Sequence, residues 1–465
     1  MDTYTRQLAA FCSELRFDTI PAPVVTRIKW LILDNLGVII GATPLEFSRR
    51  LARFAKGLGD REEASILGFG FRSSIRNAAL VNGSLAETVE MQDGYTKGAY
   101  HPSCGTISAA LAVAEWQRQD GRALLASIVA GYEIGNRVAE AIHPSHLTRG
   151  FQPTGTVGTI GAAAAAAKTL GLDEEHTFNA LGIAAFILPI STGDNLWGGY
   201  SVKPIHGGAA AKSGIESVLL AQLGLKAAPL EGDARVQKGF CRIVSDEPPR
   251  FEAMTDGLGE RYTIGDVYVK PYASCRANQG AVEIALDLRT RYGLNHHNIE
   301  DVLIKTYDFA AKRTGSVITD IDSPFTLCQF SMPYAVANAL MSGDVGLKQF
   351  TETAVKNPDI HAFAARIKVV ADPELQKAYL PARPTAMEIT LKDGTRLTGR
   401  VDFPKGDARN PMTEQELLAK FTDLTEDVLG TAQSRAVVDR VLDLEHLDST
   451  ETLIRHLVSP HAPLL

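Results

Sequence analysis

The stretch RGFQPTGTVGTIGAAAAAAKTLGL, residues 149–172, has an unusual density of small side chains. Pro153 fixes a backbone dihedral that suits the first turn of a helix, and the run from Thr156 to Leu170 is dominated by glycine and alanine. Small side chains let neighbouring helices approach closely, so this run predicts the central helix of a bundle. The rest of the fold is expected to pack around it.

Helical patterning extends over most of the first 255 residues and returns near the end of the chain. Apolar residues recur at helical spacing from residue 5 to 60, with Pro21 and Pro44 as breaks, and again after Thr413. Further helices are expected over 77–89, 106–118, 122–141 and 178–187. The predicted fold class is therefore mainly α.

The periodicity changes beyond residue 255. Alternating apolar and polar residues predict strands over 262–272, 302–307, 367–370, 387–391 and 397–401. The sequence Lys-Asp-Gly-Thr at 392–395 is typical of a hairpin turn, and helices are expected at 280–292 and 334–342. These patterns predict an α+β domain, residues 256–404, inserted into a large all-helical domain built from residues 1–255 and 405–465.

Composition and charge exclude several classes of function. The 465 residues are 45% apolar, and 47 Lys and Arg against 54 Asp and Glu give a net charge of −7, so no nucleic-acid partner is expected. The first twelve residues lack the pattern of a secretory signal, which predicts a cytoplasmic protein. The most apolar run, 30–42, is too short to span a bilayer and predicts a buried helix, with no membrane partner. The five cysteines are too scattered for a disulfide framework or a CxxC metal site.

One loop crowds reactive side chains in front of a helix. In EMQDGYTKGAYHPSCGTISAALAVAE, residues 90–115, the side chains of Asp93, Thr96 and His101 precede a helix that begins near Pro102. Histidine is the side chain best suited to proton transfer at neutral pH. This loop is the first candidate for a reactive site.

Two further loops have a similar character. In VKPIHGGAAAKSG, residues 202–214, Lys203 and His206 flank Pro204 directly before a glycine-rich helix start. Gln152 lies just before the central helix, where free backbone N–H groups and the helix dipole favour an anion. Together the three loops indicate a site for an anionic ligand.

Five motifs, in this order along the chain, resemble the MmgE/PrpD family. They are HPS at 101–103, RGFQPTGTVGTIGAAAAAAKTLGL at 149–172, VKPIHGGAAAKSG at 202–214, KPYASCRANQ at 270–279 and KGDARNPMT at 405–413. The resemblance implies a large helical domain made from both chain ends, a smaller α+β lid domain, a homodimer and no required cofactor. The family includes 2-methylcitrate dehydratases, cis-aconitate decarboxylases and iminodisuccinate epimerases.

The resemblance also implies site residues. By motif, the catalytic residues are Asp93, His101 and Lys203, with no metal ligand, and the substrate-binding residues are Arg276, His206, Gln152, Thr96, Gln279, Cys275 and Tyr334. Members often have histidine in place of Gln152 and Gln279, and glutamine can orient a carboxylate but cannot transfer a proton. Proton transfer is therefore expected from His101 and Lys203, either of which can be the base, with Asp93 orienting the imidazole.

The reactions of the family share a carbanion next to a carboxylate or carbonyl. Without a metal, fixed cations must stabilise the developing charge, and Lys203 and Arg276 suit that task. The expected function is a cofactor-independent lyase, a dehydratase or decarboxylase, of a small di- or tricarboxylic acid. Within the family, an epimerase or racemase of a small polycarboxylate such as iminodisuccinate is the alternative. Outside it, a thiol hydrolase using Cys104 with His101 and a noncatalytic helical interaction protein are alternatives; the latter would leave the polar residues scattered.

Overall fold

The computed structural model describes residues 3–380 and 382–459, and its fold is mainly α-helical, as the sequence predicts. The α-helices of the first half are α1 (Tyr4–Glu14), α2 (Ala22–Ala42), α3 (Glu46–Gly57), α4 (Ile75–Thr88), α5 (Pro102–Gln117), α6 (Gly121–Ile142), α7 (Ser145–Thr148), α8 (Pro153–Thr169), α9 (Glu174–Ile187), α10 (Gly193–Trp197), α11 (Ile205–Gln222) and α12 (Phe240–Ile243). Those of the second half are α13 (Gln279–Tyr292), α14 (Asp308–Thr314), α15 (Phe325–Gln329), α16 (Met332–Ser342), α17 (Pro358–Ala364), α18 (Pro373–Ala378), α19 (Glu414–Leu429), α20 (Thr431–Leu442) and α21 (Glu451–Ile454).

The strands form one four-stranded sheet and two small pairs. The pairs are β1 (Ala64–Ile66) with β2 (Phe71–Ser73) and β3 (Gly94–Tyr95) with β4 (Val267–Tyr268), both antiparallel. The sheet has the order β6-β5-β7-β8, with β5 (Ile299–Thr306), β6 (Ile367–Ala371), β7 (Thr385–Leu391) and β8 (Arg396–Val401). β5 and β6 are parallel, and the other neighbours are antiparallel. The four strands and the β7–β8 hairpin confirm the predictions made for these segments.

Two details of the prediction were wrong. Of the strand expected over 262–272, only β4 forms, because Thr263–Asp266 is a 3₁₀ turn and β4 pairs with the loop strand β3 rather than with the sheet. The first 255 residues are not all helical, since β1 and β2 form a hairpin. Gly68 and Gly70, with φ of +80° and +69°, reverse the chain between these two strands.

Helix α8 is the centre of the helical packing, as its small side chains predict. It is buried along nearly its whole length and packs against α5, α6, α9 and α11. A Cβ at Gly131 of α6 would lie 2.7 Å from the carbonyl oxygen of Gly161, and one at Gly214 of α11 would lie 2.7 Å from the amide nitrogen of Ala163. These backbones touch because nothing larger than hydrogen or methyl lies between them.

The helices after Thr413 pack on the N-terminal part of the chain. Phe421 of α19 fills the space beside Gly37 of α2. Lys420 donates to the Asp34 carboxylate at 2.5 Å and to the Met91 carbonyl at 2.8 Å. The end of the chain therefore reaches the loop that precedes His101.

The sheet and its covering helices form the other part of the molecule. α13 packs on β7 and β8, and α16 packs on α13. We propose on these contacts that residues 1–255 and 405–465 make one helical domain, into which the α+β domain of residues 256–404 is inserted.

Among the described residues, no single helix has both the length and the hydropathy that crossing a bilayer requires. α2 and α3 meet both only as a pair, with a bend of 91° between them. The apolar run 30–42 lies within α2 and is buried in the core, as the sequence predicts.

The close approach of α4 and α11 gives a test of this packing. A Cβ at Gly208 would lie 1.9 Å from the Leu80 carbonyl oxygen, so Gly208→Ala should lower the free energy of unfolding by about 1–3 kcal/mol in urea titrations. Gly57→Ala is the matched control, because its Cβ meets nothing within 4 Å. Equal stability of the two variants would show that the helices can separate without cost.

Candidate functional site

The candidate site is a cavity of about 80 Å³ between the helical part and the sheet-containing part, here called the inner cavity. Its wall comes from the loops before α5 and α8, from the α6–α7 region, from α10, and from four segments of the second half of the chain. The polar residues of the wall include Glu90, Tyr95, Thr96, His101, His143, Gln152, Tyr268, Cys275, Arg276, Tyr379 and Arg383. A wider cavity of about 680 Å³, the outer cavity, shares Thr96 and His143 with it.

His101 is held in one orientation by main-chain contacts. It is the N-cap of α5, and its amide donates to Thr154 Oγ1 at 3.1 Å. Its Nδ1 lies 2.5 Å from the Asp93 carbonyl oxygen, which can only accept a hydrogen bond. Nδ1 therefore carries the hydrogen, and Nε2 is left with its lone pair as a proton acceptor.

The surroundings of His101 keep its ring neutral. Burial and the positive charge of Lys270 lower the pKa of His101 to about 4, although Glu87 and Glu90 act in the opposite direction. An imidazole with this pKa is unprotonated at pH 7. His101 is thus placed to act as a base.

Asp93 orients His101 through its main chain, which corrects the expected role of its carboxylate. The carboxylate faces away, where it accepts from the Ser103 amide at 3.2 Å and from the Tyr132 hydroxyl at 2.7 Å. Burial raises the pKa of Asp93 to about 6, although these hydrogen bonds oppose the shift. Its side chain anchors the first turn of α5 and is not part of the cavity wall.

Lys203 is part of a fully buried network of two lysines and two glutamates. Its Nζ donates to Glu87 Oε2 at 2.7 Å and to Glu90 Oε2, and Lys270 donates to Glu90 Oε1 at 2.8 Å. Burial alone would lower the pKa of Lys203, but the carboxylates of Glu87 and Glu90 raise it above its ordinary value. These two carboxylates favour the charged form of Lys203, which disfavours the expected role of Lys203 as the base.

His206 is joined to the same network rather than to the inner cavity. Its Nε2 lies 3.0 Å from Glu87 Oε2, and its Nδ1 lies 3.4 Å from Ser191 Oγ. Gln92 donates to the same Glu87 oxygen at 2.9 Å. His206 thus contacts the Glu87 carboxylate outside the inner cavity.

The guanidinium of Arg276 has hydrogen-bond donors that are not used within the described part of the chain. Its Nη2 donates to Asp407 at 2.8 Å, and its guanidinium carbon lies 4.4 Å above the ring of Tyr268. Its Nε and Nη1 are buried and have no hydrogen-bond partner in the described part of the chain. Unpaired buried donors are costly, so this guanidinium is suited to receive a carboxylate.

Three other predicted residues also lie in the wall. Gln152 is buried at the N-cap of α8, with its Oε1 unpaired among the described residues. Thr96 lies where the inner and outer cavities meet. Cys275 precedes Arg276, and burial raises the pKa of its thiol to about 11, so it is a neutral wall group.

Gln279 and Tyr334 are also outside the wall, as are Asp93, Lys203 and His206. The Gln279 amide donates to the main-chain oxygens of Tyr272 and Ser274, at 3.1 and 2.7 Å, and so holds the turn that carries Arg276. The Tyr334 hydroxyl donates to the Ala354 carbonyl at 3.4 Å, within the α+β part. Both side chains are satisfied by their own structure.

Sequence reasoning missed Glu87, Glu90, Lys270, His143 and Arg383. Lys270 begins the quoted motif KPYASCRANQ, and two glutamates at the end of an apolar helix were a signal that could have been used. His143 and Arg383 have no local signal, because only the fold brings them to the cavity.

The chemistry of the cavity combines a neutral base with buried cations. His101 can accept a proton, Arg276 can bind a carboxylate, and Lys203 and Lys270 supply fixed positive charge behind Glu90. Over residues 3–380 and 382–459, no group of three or more His, Cys, Asp or Glu could hold a metal ion. Cys104 is fully buried, and burial holds the pKa of its thiol well above the ordinary range, which disfavours the thiol hydrolase.

Comparison with known proteins places matches along nearly the whole chain. Residues 6–252 match the MmgE/PrpD N-terminal domain, and residues 272–444 match the MmgE/PrpD C-terminal domain. The cis-aconitate decarboxylase of Aspergillus terreus is 26% identical over 98% of this chain and 96% of its own length. The human cis-aconitate decarboxylase is 25% identical over 100% and 96%, and the 2-methylcitrate dehydratase of Cupriavidus necator is 24% identical over 83% and 82%.

The state of His101 can be tested without a substrate. In protein labelled with ¹⁵N-histidine, NMR should show the His101 ring with hydrogen on Nδ1 at pH 7 and a titration near pH 4, because burial and Lys270 oppose protonation. His101→Gln identifies the resonance by its loss. A titration near pH 6.5, the ordinary histidine value, would show that burial and Lys270 do not lower the pKa of His101.

Proposed function

Because the chain belongs to the MmgE/PrpD family, we propose that it is a lyase, a dehydratase or decarboxylase, of a small di- or tricarboxylic acid. The observation that carries the proposal is one cavity wall that contains both a neutral histidine and a guanidinium with two unpaired nitrogens. The names of the similar proteins, which include both a decarboxylase and a dehydratase, support the same class of reaction.

In the proposed dehydration, Nε2 of His101 accepts the proton from the carbon next to a substrate carboxylate. Arg276 binds that carboxylate through its unpaired nitrogens and stabilises the negative charge that develops on it. The electron pair of the broken C–H bond becomes the new carbon–carbon double bond. The hydroxyl on the neighbouring carbon then takes the proton from the imidazolium and leaves as water.

In the proposed decarboxylation, the bond to carbon dioxide breaks and its electron pair stays on the substrate carbon. The carbanion then takes a proton from His101, which must be protonated at that moment. A bound polyanion beside the ring favours the imidazolium. In the free protein His101 is neutral, so the geometry supports dehydration more directly.

An epimerase is the second candidate, and His143 favours it. His143 lines the same cavity, its Nδ1 is buried with no partner among the described residues, and burial lowers its pKa to about 4. In the proposed epimerisation, one neutral imidazole takes the proton from the carbon, and the other, protonated beside the bound polyanion, returns a proton to the opposite face of the same carbon. In all three reactions the charge is stabilised by side chains, so we propose that no cofactor is needed.

One assay separates these reactions. Proton NMR in deuterated buffer with a chelator, on citrate, 2-methylcitrate, cis-aconitate, tartrate and iminodisuccinate, should show turnover of at least one acid and deuterium at the carbanion carbon. Loss of water, loss of carbon dioxide, or exchange without net loss identifies the dehydratase, decarboxylase or epimerase.

His101→Gln is the control for this assay. It should lower kcat by about 10² to 10⁴, the usual range for a general acid or base, while the protein remains folded. Turnover that disappears with the chelator and returns with one metal would contradict the proposed charge stabilisation. Absence of turnover and exchange on every acid would contradict the lyase.

We also propose that the protein is a homodimer, with an interface beside the Lys203 network. Ile190 and Val202 are 75% and 51% exposed, and they line one groove with Lys203 and His206. Phe186, near the end of α9 and four residues before Ile190, is 88% exposed. Large exposed apolar side chains that adjoin a functional site are typical of an interface.

Light scattering tests the dimer. Wild-type protein should have twice the mass of one chain, and Ile190→Glu with Phe186→Glu should reduce it to one chain, because the charges would have to be buried. Val236→Glu is the control, since Val236 is 64% exposed in a loop that does not line this groove. A monomeric wild-type protein, or a double variant that stays dimeric, would refute this interface.

A further inference from the structure

A second guanidinium, that of Arg383, faces the inner cavity. Arg383 lies just before β7, and its amide donates to the Asp402 carbonyl at 2.9 Å, which fixes the backbone. Its Nη1 donates to the Tyr307 hydroxyl at 3.2 Å. Its Nε is buried without a hydrogen-bond partner in the described part of the chain, as are two nitrogens of Arg276.

The two guanidiniums are close enough to repel each other. Burial is the main reason that the pKa of Arg276 is lowered, and the charge of Arg383 adds to this effect. Both cations also act on Tyr268, whose ring lies under Arg276. Two like charges in one buried wall are costly unless an anion lies between or beside them.

The protein itself supplies little negative charge to balance them. Asp407 pairs with Arg276 at 2.8 Å but is shared with Arg409 at 3.1 Å. Glu90 is the acidic residue among the described residues of the wall, and its carboxylate is already paired with Lys203 and Lys270. The wall therefore keeps an excess of positive charge and unused donors on both arginines.

We propose that Arg383 determines specificity by binding a second substrate carboxylate, while Arg276 binds the carboxylate next to the reacting carbon. This inference rests on the proposed function and deepens it. The substrate class is then an acid with at least two carboxylates, one for each guanidinium, and a monocarboxylic acid is not selected. The reaction stays the same, because Arg383 does not move a proton.

Binding of unreactive acids tests this inference apart from turnover. Isothermal titration should show that the wild-type protein binds succinate more tightly than propionate, which lacks the second carboxylate. Arg383→Gln should weaken the binding of succinate on the order of 10- to 100-fold, which corresponds to the loss of a charge-assisted hydrogen bond. The affinity for propionate should stay unchanged. Arg383→Lys keeps the charge but loses the planar fork, so its affinity for succinate should lie between those of the wild-type protein and Arg383→Gln.

Arg250→Gln is the matched control. Arg250 lines the outer cavity and, like Arg383, its charge lowers the pKa of His143, but it is not in the inner cavity wall. Arg250→Gln should leave the affinities for succinate and propionate unchanged. Thermal unfolding of every variant excludes a general loss of structure.

Three results would overturn the inference. The wild-type protein could show no preference for succinate, Arg383→Gln could lose the same affinity for both acids, or Arg383→Gln could lose affinity for neither acid. These results are independent of the turnover assay. Selective succinate binding in a protein that turns over none of the tested acids would retain the role of Arg383 while the proposed reaction fails.

Discussion

The buried pairing of two lysines with two glutamates is the interaction on which the site depends. Glu87 lies in the last turn of α4, Lys203 precedes α11, and Lys270 follows β4, so one set of contacts joins three distant segments. Burial opposes charge on Glu90, yet Lys203 and Lys270 lower the pKa of Glu90 to about 2. Removing any one of the four would leave an unpaired charge in the interior, a loss of about 3–5 kcal/mol in comparable cases.

The same network acts on His101. Burial is the main reason that the pKa of His101 is lowered; Lys270 and Lys203 lower it further, while Glu87 and Glu90 raise it. The ion pairs that hold the loops together thus act on the group that can accept a proton, but burial keeps that group neutral.

The sequence predicted the parts of this structure that depend on repeated local patterns. The small residues of α8 and the alternation in β5 to β8 are such patterns, and the fold requires both. The motif residues His101 and Arg276 were also predicted, and the structure brings them to one cavity. The hairpin β1–β2 was missed because strands of three residues are too short for a periodicity to be recognised.

The parts that were missed depend on distant contacts. Nothing near Asp93 in the sequence shows that its carbonyl, rather than its carboxylate, would meet His101. Lys203 was expected to titrate because a buried lysine without partners loses its proton, but two glutamates more than a hundred residues away keep it charged. Arg383 belongs to no recognisable motif in the sequence, and only the fold places it in the same cavity wall as Arg276.

Lys420 of α19 connects the C-terminal helices to the loop that carries His101. Its ammonium group binds the Met91 carbonyl, two residues before the carbonyl that orients His101, and it is anchored by Asp34 of α2. During synthesis on the ribosome, the loop before His101 is made early and its brace is made late. This contact can therefore form only after residue 420 has emerged and folded back, 329 residues after Met91 has been made.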